Sequence, residues 1–269
     1  MPSAPISSPA NPLLKRIRKL RRRKQREAEG VAFVEGIAPV WQAFDSGADV
    51  ELVVTARELL TSDGARNLVS SFEERGTPVV ELTAEAFGSI AEREHPVGLG
   101  ALVRIPDTAL AALDPGSPAL VVALHEAGNP GNVGTIVRTA DAAGASAVVV
   151  AGASADPWHP AAIKASMGTV FSTPVVTAPL EEVLAWAREG GLAVVATSAR
   201  GTIDYSEATF PERALLLFGS EATGLSPDVL AAADLVVRIP QEGAASSLNL
   251  AVAAGILIYE ARRGRIGSG

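Results

Sequence analysis

Residues 238–263 have the sequence RIPQEGAASSLNLAVAAGILIYEARR and predict a strand, a loop and a helix in that order. The strand is predicted over Leu235–Ile239, Pro240 ends it, and an apolar helix is predicted to begin at about Leu248. The loop between them is rich in Gly, Ala and Ser, so its backbone groups can approach a bound molecule without side-chain clash. An α/β fold builds ligand sites from this combination of elements.

Two side chains of this loop are candidate site residues. Ser246 or Ser247 is predicted to cap the helix, which would be a purely structural role. Asn249 is predicted to lie in the first helical turn, where an amide is a poor helix former and needs hydrogen-bond partners when buried. Asn249 and Ser247 are therefore candidates for a functional site.

Composition bounds the class of protein. A chain of 269 residues suggests two domains or one large one, and 48% hydrophobic residues suffice for a core. No apolar run approaches the roughly 18 residues of a membrane span, so we expect a soluble, cytoplasmic protein without a membrane partner. The chain has no Cys, and its three His show no metal-ligand spacing, so we expect no disulfide and no metal.

The charge is unevenly distributed along the chain. The net charge is −7, yet residues 15–26 contain nine of the 23 basic residues and no acidic one. Such a basic segment on an acidic protein predicts RNA binding, while the alternative is a solvated helix or tail without a partner. The residues predicted to contact RNA are Lys15, Arg16, Arg18, Lys19, Arg22, Arg23 and Arg26.

The order of predicted elements indicates two α/β domains. We expect a disordered tail over residues 1–12, a smaller domain over 13–105, a linker over 106–118 and a second domain over 119–269. In the second domain the strands are continuous apolar runs, which is typical of a parallel sheet buried on both faces. These strands are predicted at Ala119–Leu124, Ala147–Ala151, Leu192–Thr197, Ala214–Phe218 and Leu235–Ile239.

The first of these strands leads into the sequence NPGNVGTIVRTA at residues 129–140. Its glycines loosely resemble a dinucleotide-binding turn, so a nucleotide-dependent oxidoreductase is one alternative. That fingerprint requires an acidic residue at the end of the next strand, where this chain has Ala151-Gly-Ala. A dinucleotide site also leaves Asn132 and Arg138 unexplained, and Arg138 in particular has no evident structural role.

A second motif, LLLFGSEATG, occupies residues 215–224. Glu221 could simply stabilise the start of a helix. However, it follows a buried strand, as the other two motifs do. Because loops at the carboxyl ends of parallel strands meet at one edge of a sheet, the three motifs predict one pocket.

Taken together, the patterns NxGNxGxxxR, GSExxG and IPxxGxxxSLN resemble the SpoU, or TrmH, family of SPOUT methyltransferases. The resemblance covers roughly Ala119 to Arg263. The first domain, with FVEG at residues 33–36, is similar to the α/β/α, ribosomal-protein-like substrate-binding domain of members that modify rRNA. The resemblance implies a trefoil knot in the second domain and a homodimer. The predicted C-terminal helix presents Leu250, Ile256, Leu257 and Tyr259 as apolar surface for such a dimer.

The resemblance also implies the chemistry and its residues. Family members transfer a methyl group from S-adenosylmethionine to a ribose 2′-hydroxyl of RNA. Arg138 would handle the hydroxyl proton, or orient the neighbouring phosphate and stabilise the developing alkoxide. The implied catalytic set is Asn132, Arg138, Glu221, Ser247 and Asn249. The expected cofactor contacts are Thr197, Phe218, Gly219, Ile239, Gln241 and Leu248.

The chain departs from the family pattern at two places. Gln241 stands where the family usually has Met, and Leu250-Ala251 stands where it usually has Val-Ser. Neither change removes a catalytic group, so we expect activity on 23S rRNA. A tRNA ribose methyltransferase and a non-catalytic, ribosome-associated RNA-binding protein are the alternatives.

Overall fold

The computed structural model describes residues 4–92, 94–244 and 247–266, which form two compact units. The first unit contains Met1–Asp107 together with Trp158–Ser172, and the second contains Thr108–Pro157 and Thr173–Gly269. Each is an α/β structure with its own sheet.

The first unit is built on a mixed four-stranded sheet in the order β1-β4-β2-β3. Strand β4 is antiparallel to both β1 and β2, while β2 and β3 are parallel. Its elements are α1 (Pro12–Lys19), α2 (Arg23–Glu29), β1 (Val31–Glu35), α3 (Ile37–Asp45), β2 (Val50–Thr55), α4 (Asp63–Glu74), β3 (Val79–Glu81), α5 (Ala84–Gly88), β4 (Leu99–Arg104) and, later in the chain, α7 (Pro160–Ala165).

The N-terminal segment differs from the disordered tail expected over residues 1–12. The Ile6 N–H donates to the Glu81 carbonyl (2.9 Å), and the Thr83 N–H donates to the Ile6 carbonyl (3.0 Å). Strand β3 lies at the edge of its sheet, so its outer backbone groups are available for this pairing. Residues 1–3 lie outside the described part of the chain.

The basic segment, which lies in the predicted first domain, forms two helices. Asn11 caps α1 by accepting a hydrogen bond from the Leu13 N–H (2.9 Å), and Pro12 occupies the first turn. Leu14, Ile17 and Leu20 recur at helical spacing and are almost completely buried. Helices α1 and α2 are therefore part of the folded unit.

The second unit is a seven-stranded sheet in the order β7-β6-β5-β10-β8-β11-β9, and every recorded pairing is parallel. The predicted parallel sheet is confirmed, with two further short strands, β7 and β9, that the apolar pattern did not reveal. The elements are β5 (Ala119–His125), α6 (Pro130–Ala142), β6 (Ala147–Ala151), β7 (Val175–Ala178), α8 (Leu180–Glu189), β8 (Ala193–Thr197), β9 (Ile203–Asp204), β10 (Arg213–Phe218), α9 (Pro227–Ala231), β11 (Leu235–Arg238) and α10 (Leu250–Ile266).

The strand order explains the position of the loops. The central strands β5, β10, β8 and β11 are neighbours and run in one direction, so the loops that follow them emerge at one edge. The side chains of β5 and β10 are almost all buried, as expected for continuous apolar strands, whereas in β11 only Val237 is buried. The trefoil knot stays a prediction, because strand order alone does not define a knot.

Candidate active site

Three polar side chains from the three motifs are joined by hydrogen bonds. The Asn132 Nδ2–H donates to Glu221 Oε1 (2.9 Å), and the Asn249 Nδ2–H donates to Asn132 Oδ1 (3.2 Å). The other oxygen of Glu221 accepts the Gly128 N–H at 3.2 Å. We call Asn132, Glu221 and Asn249 the polar trio. Both ends of the Asn132 amide are engaged, which fixes its orientation.

Asn132 does not cap helix α6, and Glu221 does not stabilise the start of a helix. Asn129, rather than Asn132, caps helix α6, accepting the Gly131 N–H at 2.8 Å and, more weakly, the Asn132 N–H at 3.4 Å. Glu221 lies in a tight turn closed by the Gly224 N–H and the Ser220 carbonyl (2.9 Å), and not at a helix start. Their side chains are therefore available to link the loops.

The C-terminal helix begins later than predicted, and Asn249 is its cap rather than a residue of its first turn. Helix α10 begins at Leu250, and Asn249 Oδ1 accepts the N–H groups of Ala251 (2.9 Å) and Val252 (3.3 Å), so Asn249 itself is the cap. The predicted cap residue Ser247 precedes the helix, and Ser246 lies outside the described residues. Asn249 is exposed rather than buried in the first turn, and it both caps the helix and donates to Asn132.

A cavity of about 860 Å³ opens beside the trio within the second unit, and we call it the loop cavity. Its walls include all six residues predicted to contact the cofactor, together with Glu221 and Ser247. Asn132, Asn249 and Arg138 do not line it. The lining residues are His125, Glu126, Thr197–Arg200, Phe218–Pro227, Leu230, Val237, Ile239, Gln241, Ser247, Leu248, Leu250, Ala253 and Leu257.

Close backbone approaches shape the cavity wall. A Cβ on Gly219 would lie 2.4 Å from the Gly224 carbonyl carbon, which is far inside the contact distance. Gly219 therefore allows the loop after β10 to fold tightly back on itself, and a side chain there would force the wall apart.

Sequence reasoning missed the loop after β8. Ser198, Ala199 and Arg200 line the cavity, yet only Thr197 of this loop was predicted. The signal was available, because β8 lies between β10 and β11 in the sheet and its loop leaves at the same edge. A motif search fails here, since the sequence TSARG contains no recognisable fingerprint.

Arg138 lies on α6, about one and two-thirds turns beyond Asn132. Its side chain is exposed, and no described residue is recorded as a hydrogen-bond or ion-pair partner of its guanidinium. Because Arg138 does not bond to the trio or line the loop cavity, the structure leaves it free to meet another molecule.

Among the basic residues of the segment 15–26, some side chains bond to groups of their own unit and others are exposed without a recorded side-chain partner. Arg26, predicted to contact RNA, is 1% exposed and donates to the carbonyls of Leu20 (2.7 Å) and Arg21 (2.8 Å). That prediction is wrong, because a buried side chain held by two carbonyls cannot reach a phosphate. Arg16 bonds to Glu29 (2.7 Å) and Glu51 (2.7 Å).

The Arg16 hydrogen bond lowers the pKa of Glu51 against the opposing effect of burial. Arg18 donates to Ser89 Oγ (3.0 Å), and Arg23 pairs with Glu27 (2.7 Å). Lys15, Lys19 and Arg22 are exposed without a recorded partner among the described residues. Lys24, which was not among the predicted contacts, is exposed in the same way.

The described ranges contain neither a group of three or more His, Cys, Asp or Glu side chains suited to a metal ion nor a helix long and apolar enough to cross a membrane.

Comparison with known proteins identifies both units. Residues 119–259 match the SpoU rRNA Methylase family, and residues 11–101 match the MRM3-like substrate binding domain. The chain is 32% identical over 257 residues to the 23S rRNA (guanosine(2553)-2′-O)-methyltransferase RlmP of Bacillus subtilis, covering 96% of this chain and 98% of that protein.

Other relatives support the same assignment. The chain is 34% identical over 251 residues to the 23S rRNA (uridine(2479)-2′-O)-methyltransferase of Streptomyces viridochromogenes, covering 91% of this chain and 86% of that protein. An AdoMet-bound rRNA methyltransferase from Sinorhizobium meliloti superposes with a TM-score of 0.87 at 34% identity, over 97% of each chain. The chain therefore belongs to the SpoU rRNA methylase family of S-adenosylmethionine-dependent methyltransferases.

Proposed function

We propose that this chain transfers the methyl group of S-adenosylmethionine to a ribose 2′-hydroxyl of 23S rRNA. The observation that carries the proposal is the polar trio, which joins the three motif loops beside a cavity of cofactor size. Typical small-molecule sites have volumes of about 300 to 1,000 Å³. The two relatives named above act on different nucleotides of 23S rRNA, so the RNA is proposed without a position.

The loop cavity fits the cofactor chemically. Apolar walls formed by Phe218, Leu225 and Leu257 suit an adenine ring, and backbone groups at Gly219 can approach it closely. The cavity also has charged groups for the amino-acid end. The residues present are therefore compatible with S-adenosylmethionine, which when bound supplies an already reactive sulfonium methyl group.

The protein residues then have to hold and activate the alcohol. A methyl transfer in line with the leaving sulfur requires the ribose oxygen to be held in one orientation, and the trio offers polar groups that hydrogen bonds hold together for this task. A guanidinium presents several N–H donors and a positive charge, so Arg138 can stabilise the negative charge that develops on the 2′ oxygen or bind the adjacent phosphate. We favour this electrostatic role over that of a base.

RNA recognition is proposed for the exposed cations of the first unit. Lys15 and Lys19 lie one helical turn apart on α1, and Arg22 and Lys24 flank the start of α2. Each can neutralise a phosphate without breaking a recorded internal bond. Their match to a substrate-binding domain supports this assignment.

We also propose a homodimer that uses α10. Leu250 and Leu257, predicted as dimer surface, are instead buried in the second unit, because α10 packs on its own sheet and on α6. Val252 and Tyr259 are 52% and 46% exposed, and with Ile256 they form an apolar stripe at helical spacing. Light scattering at micromolar concentration should give about 55 kDa, twice 27.6 kDa. A mass near 27.6 kDa would contradict the dimer.

The experiment that tests the function is a map of ribose methylation in cells with and without the gene. We expect one 2′-O-methyl group in 23S rRNA to disappear on deletion and to return with the wild-type gene. Loss of a tRNA ribose methyl group would instead support the tRNA alternative. Unchanged methylation of both RNAs would favour a non-catalytic RNA-binding protein.

A further inference from the structure

The loop that follows β8 is fixed to the neighbouring strand β11. The Ser198 N–H donates to the Val237 carbonyl (3.0 Å). Within the loop, the Arg200 N–H donates to Ser198 Oγ (3.2 Å) and the Gly201 N–H donates to the Ser198 carbonyl (2.9 Å). These three bonds close a tight turn that holds Arg200 at a defined place.

Gly201 keeps this turn pressed against the sheet. A Cβ at Gly201 would lie 2.9 Å from the Val237 carbonyl carbon, a contact that real side chains do not make. Any larger residue would push the turn away from β11. The backbone position of Arg200 is thus set by the packing of the turn, while its side chain is exposed.

Arg200 is also distinguished by its charge. Among the described residues that line the loop cavity, it is the only lysine or arginine. Its side chain is exposed, and the described part of the chain provides no recorded ion pair or hydrogen bond for the guanidinium. The same lining carries two carboxylates, Glu126 and Glu221.

This set of charges is complementary to one particular ligand group. S-adenosylmethionine carries two positive groups, the sulfonium and the ammonium, and one negative group, the carboxylate. The described lining offers two carboxylates and one guanidinium, together with the imidazole of His125. Arginine presents two parallel N–H donors that match a carboxylate, so the guanidinium is the group best suited to the single anionic group of the ligand.

We infer that Arg200 binds the carboxylate of the methionine half of S-adenosylmethionine and so selects amino-acid-bearing adenosyl ligands over decarboxylated ones. This inference rests on the proposed cofactor site and adds a specificity residue to it. A phosphate of the RNA is the competing anion, and the experiment separates the two.

Calorimetry with two ligands tests the inference without turnover. One ligand is S-adenosylhomocysteine, and the other is S-adenosyl-3-thiopropylamine, which lacks only the carboxylate. For Arg200→Ala we expect S-adenosylhomocysteine to bind about 10- to 100-fold more weakly, as for a lost charge-assisted hydrogen bond. Binding of the decarboxylated ligand should stay within about twofold of wild type, because Arg200 has no partner on it.

Two further variants serve as controls. Arg200→Lys keeps the charge but loses the paired donors, so its loss should be intermediate. Arg188→Ala removes an exposed arginine of the same unit that bonds to the Ala232 carbonyl (3.3 Å) and does not line the cavity. It should leave both affinities unchanged.

The outcomes separate the inference from the proposed function. Equal losses for both ligands would assign Arg200 to loop structure, and an unchanged affinity for S-adenosylhomocysteine would exclude the carboxylate contact. Weakened RNA binding with unchanged ligand affinity would assign it to a phosphate. Each of these three results would overturn the role inferred for Arg200. Binding of S-adenosylhomocysteine by the wild-type protein would still support the proposed cofactor site. A wild-type protein that binds neither ligand would overturn both.

Discussion

The arginines of helices α1 and α2 and those beside the loops of the second unit differ in what holds them. Arg16 and Arg26 are engaged by carboxylates or carbonyls of their own unit. Arg138 and Arg200 are exposed, and the described residues provide no recorded partner for either guanidinium. A cation with internal partners contributes to folding, whereas a cation without them is available for a ligand. Sequence alone shows the charge but does not show which of these roles it has.

The largest expected effect is the loss of turnover in Arg138→Ala. Removing a group that stabilises charge in the transition state typically lowers the rate by about 100- to 1,000-fold or more. Because Arg138 does not line the loop cavity, the affinity for S-adenosylhomocysteine should stay unchanged. Tritium transfer to rRNA and calorimetry measure the two quantities.

Arg138→Lys is the matched variant for this experiment. It keeps the charge but not the donor geometry, so its rate should lie between those of wild type and Arg138→Ala. Turnover of Arg138→Ala within tenfold of wild type would remove Arg138 from the chemistry.

For Arg26→Ala we expect a loss of stability rather than a direct effect on turnover. This change opens a cavity and leaves the carbonyls of Leu20 and Arg21 without a donor, so the free energy of unfolding should fall by about 3 kcal/mol. Urea unfolding measures the change. Exposed Arg22 provides the control, because Arg22→Ala should alter stability by less than about 0.5 kcal/mol. Equal stabilities of the two variants would contradict the assigned structural role.

Asn249 combines a structural role with a role in the trio, and two substitutions separate them. Asn249→Ala removes both the helix cap and the donor to Asn132, so stability should fall by about 1 kcal/mol and turnover should also fall. Asn249→Ser keeps a capping oxygen but cannot donate an amide N–H. It should therefore retain stability while losing turnover about tenfold or more. Full activity of Asn249→Ser would show that the trio is only structural.

The exposed cations of the first unit should control the salt dependence of RNA binding. Each lost phosphate contact lowers the log-log salt slope by about 0.7 to 0.9. Replacing Lys15, Lys19, Arg22 and Lys24 together with Gln should lower it by about 3 to 4. Arg23→Gln is the control, because Arg23 already pairs with Glu27 and should change the slope less. Removing the whole segment is not a suitable test, since it would remove core residues of α1. An unchanged slope in the fourfold variant would show that RNA binds elsewhere.

The smallest effect concerns the ion pair of Arg16 with Glu51. The hydrogen bond from Arg16 lowers the pKa of Glu51 in the folded protein from its ordinary value of 4.5. The contribution of this pair to the free energy of unfolding is therefore present above about pH 4.5, and it is lost as the pH falls through the pKa of Glu51 in the folded protein. Glu51→Gln should lower stability at pH 7 by no more than about 1 kcal/mol, because the pair is partly exposed. The difference from wild type should shrink in urea titrations below pH 4.5. A difference that persists or grows on acidification would contradict this origin.

The residues of the loop cavity were easier to predict from the sequence than the residues that contact RNA. Strand-ending loops must meet at one edge of a parallel sheet, which is why the three motifs predicted one pocket. The family resemblance, and not the topology, implied Gly219, Ile239 and Gln241 as cofactor contacts, and all three line the loop cavity. The hydrogen bonds of the trio could not be predicted, because they depend on side-chain distances between loops. Arg26 was misassigned for a related reason, since burial of a charged side chain depends on where the chain turns around it.

Fold prediction failed where local signals were weakest. Strand β9 has only two residues, Ile203–Asp204, and its composition does not predict a strand. Its pairing with β11 is what makes this segment extended. The segment around Ile6 has a polar, proline-rich composition, yet the open edge of β3 orders it. In both cases tertiary pairing overrides composition.

The most direct test of the central claim uses 23S rRNA incubated with the protein and S-adenosylmethionine that carries a trideuterated methyl group. After digestion, mass spectrometry identifies which nucleoside is labelled and whether the label is on the base or the ribose. The account predicts one ribose 2′-O-methylated nucleoside for the wild-type protein and at most a trace for Arg138→Ala. A base-labelled nucleoside, or equal ribose labelling by Arg138→Ala, would contradict it.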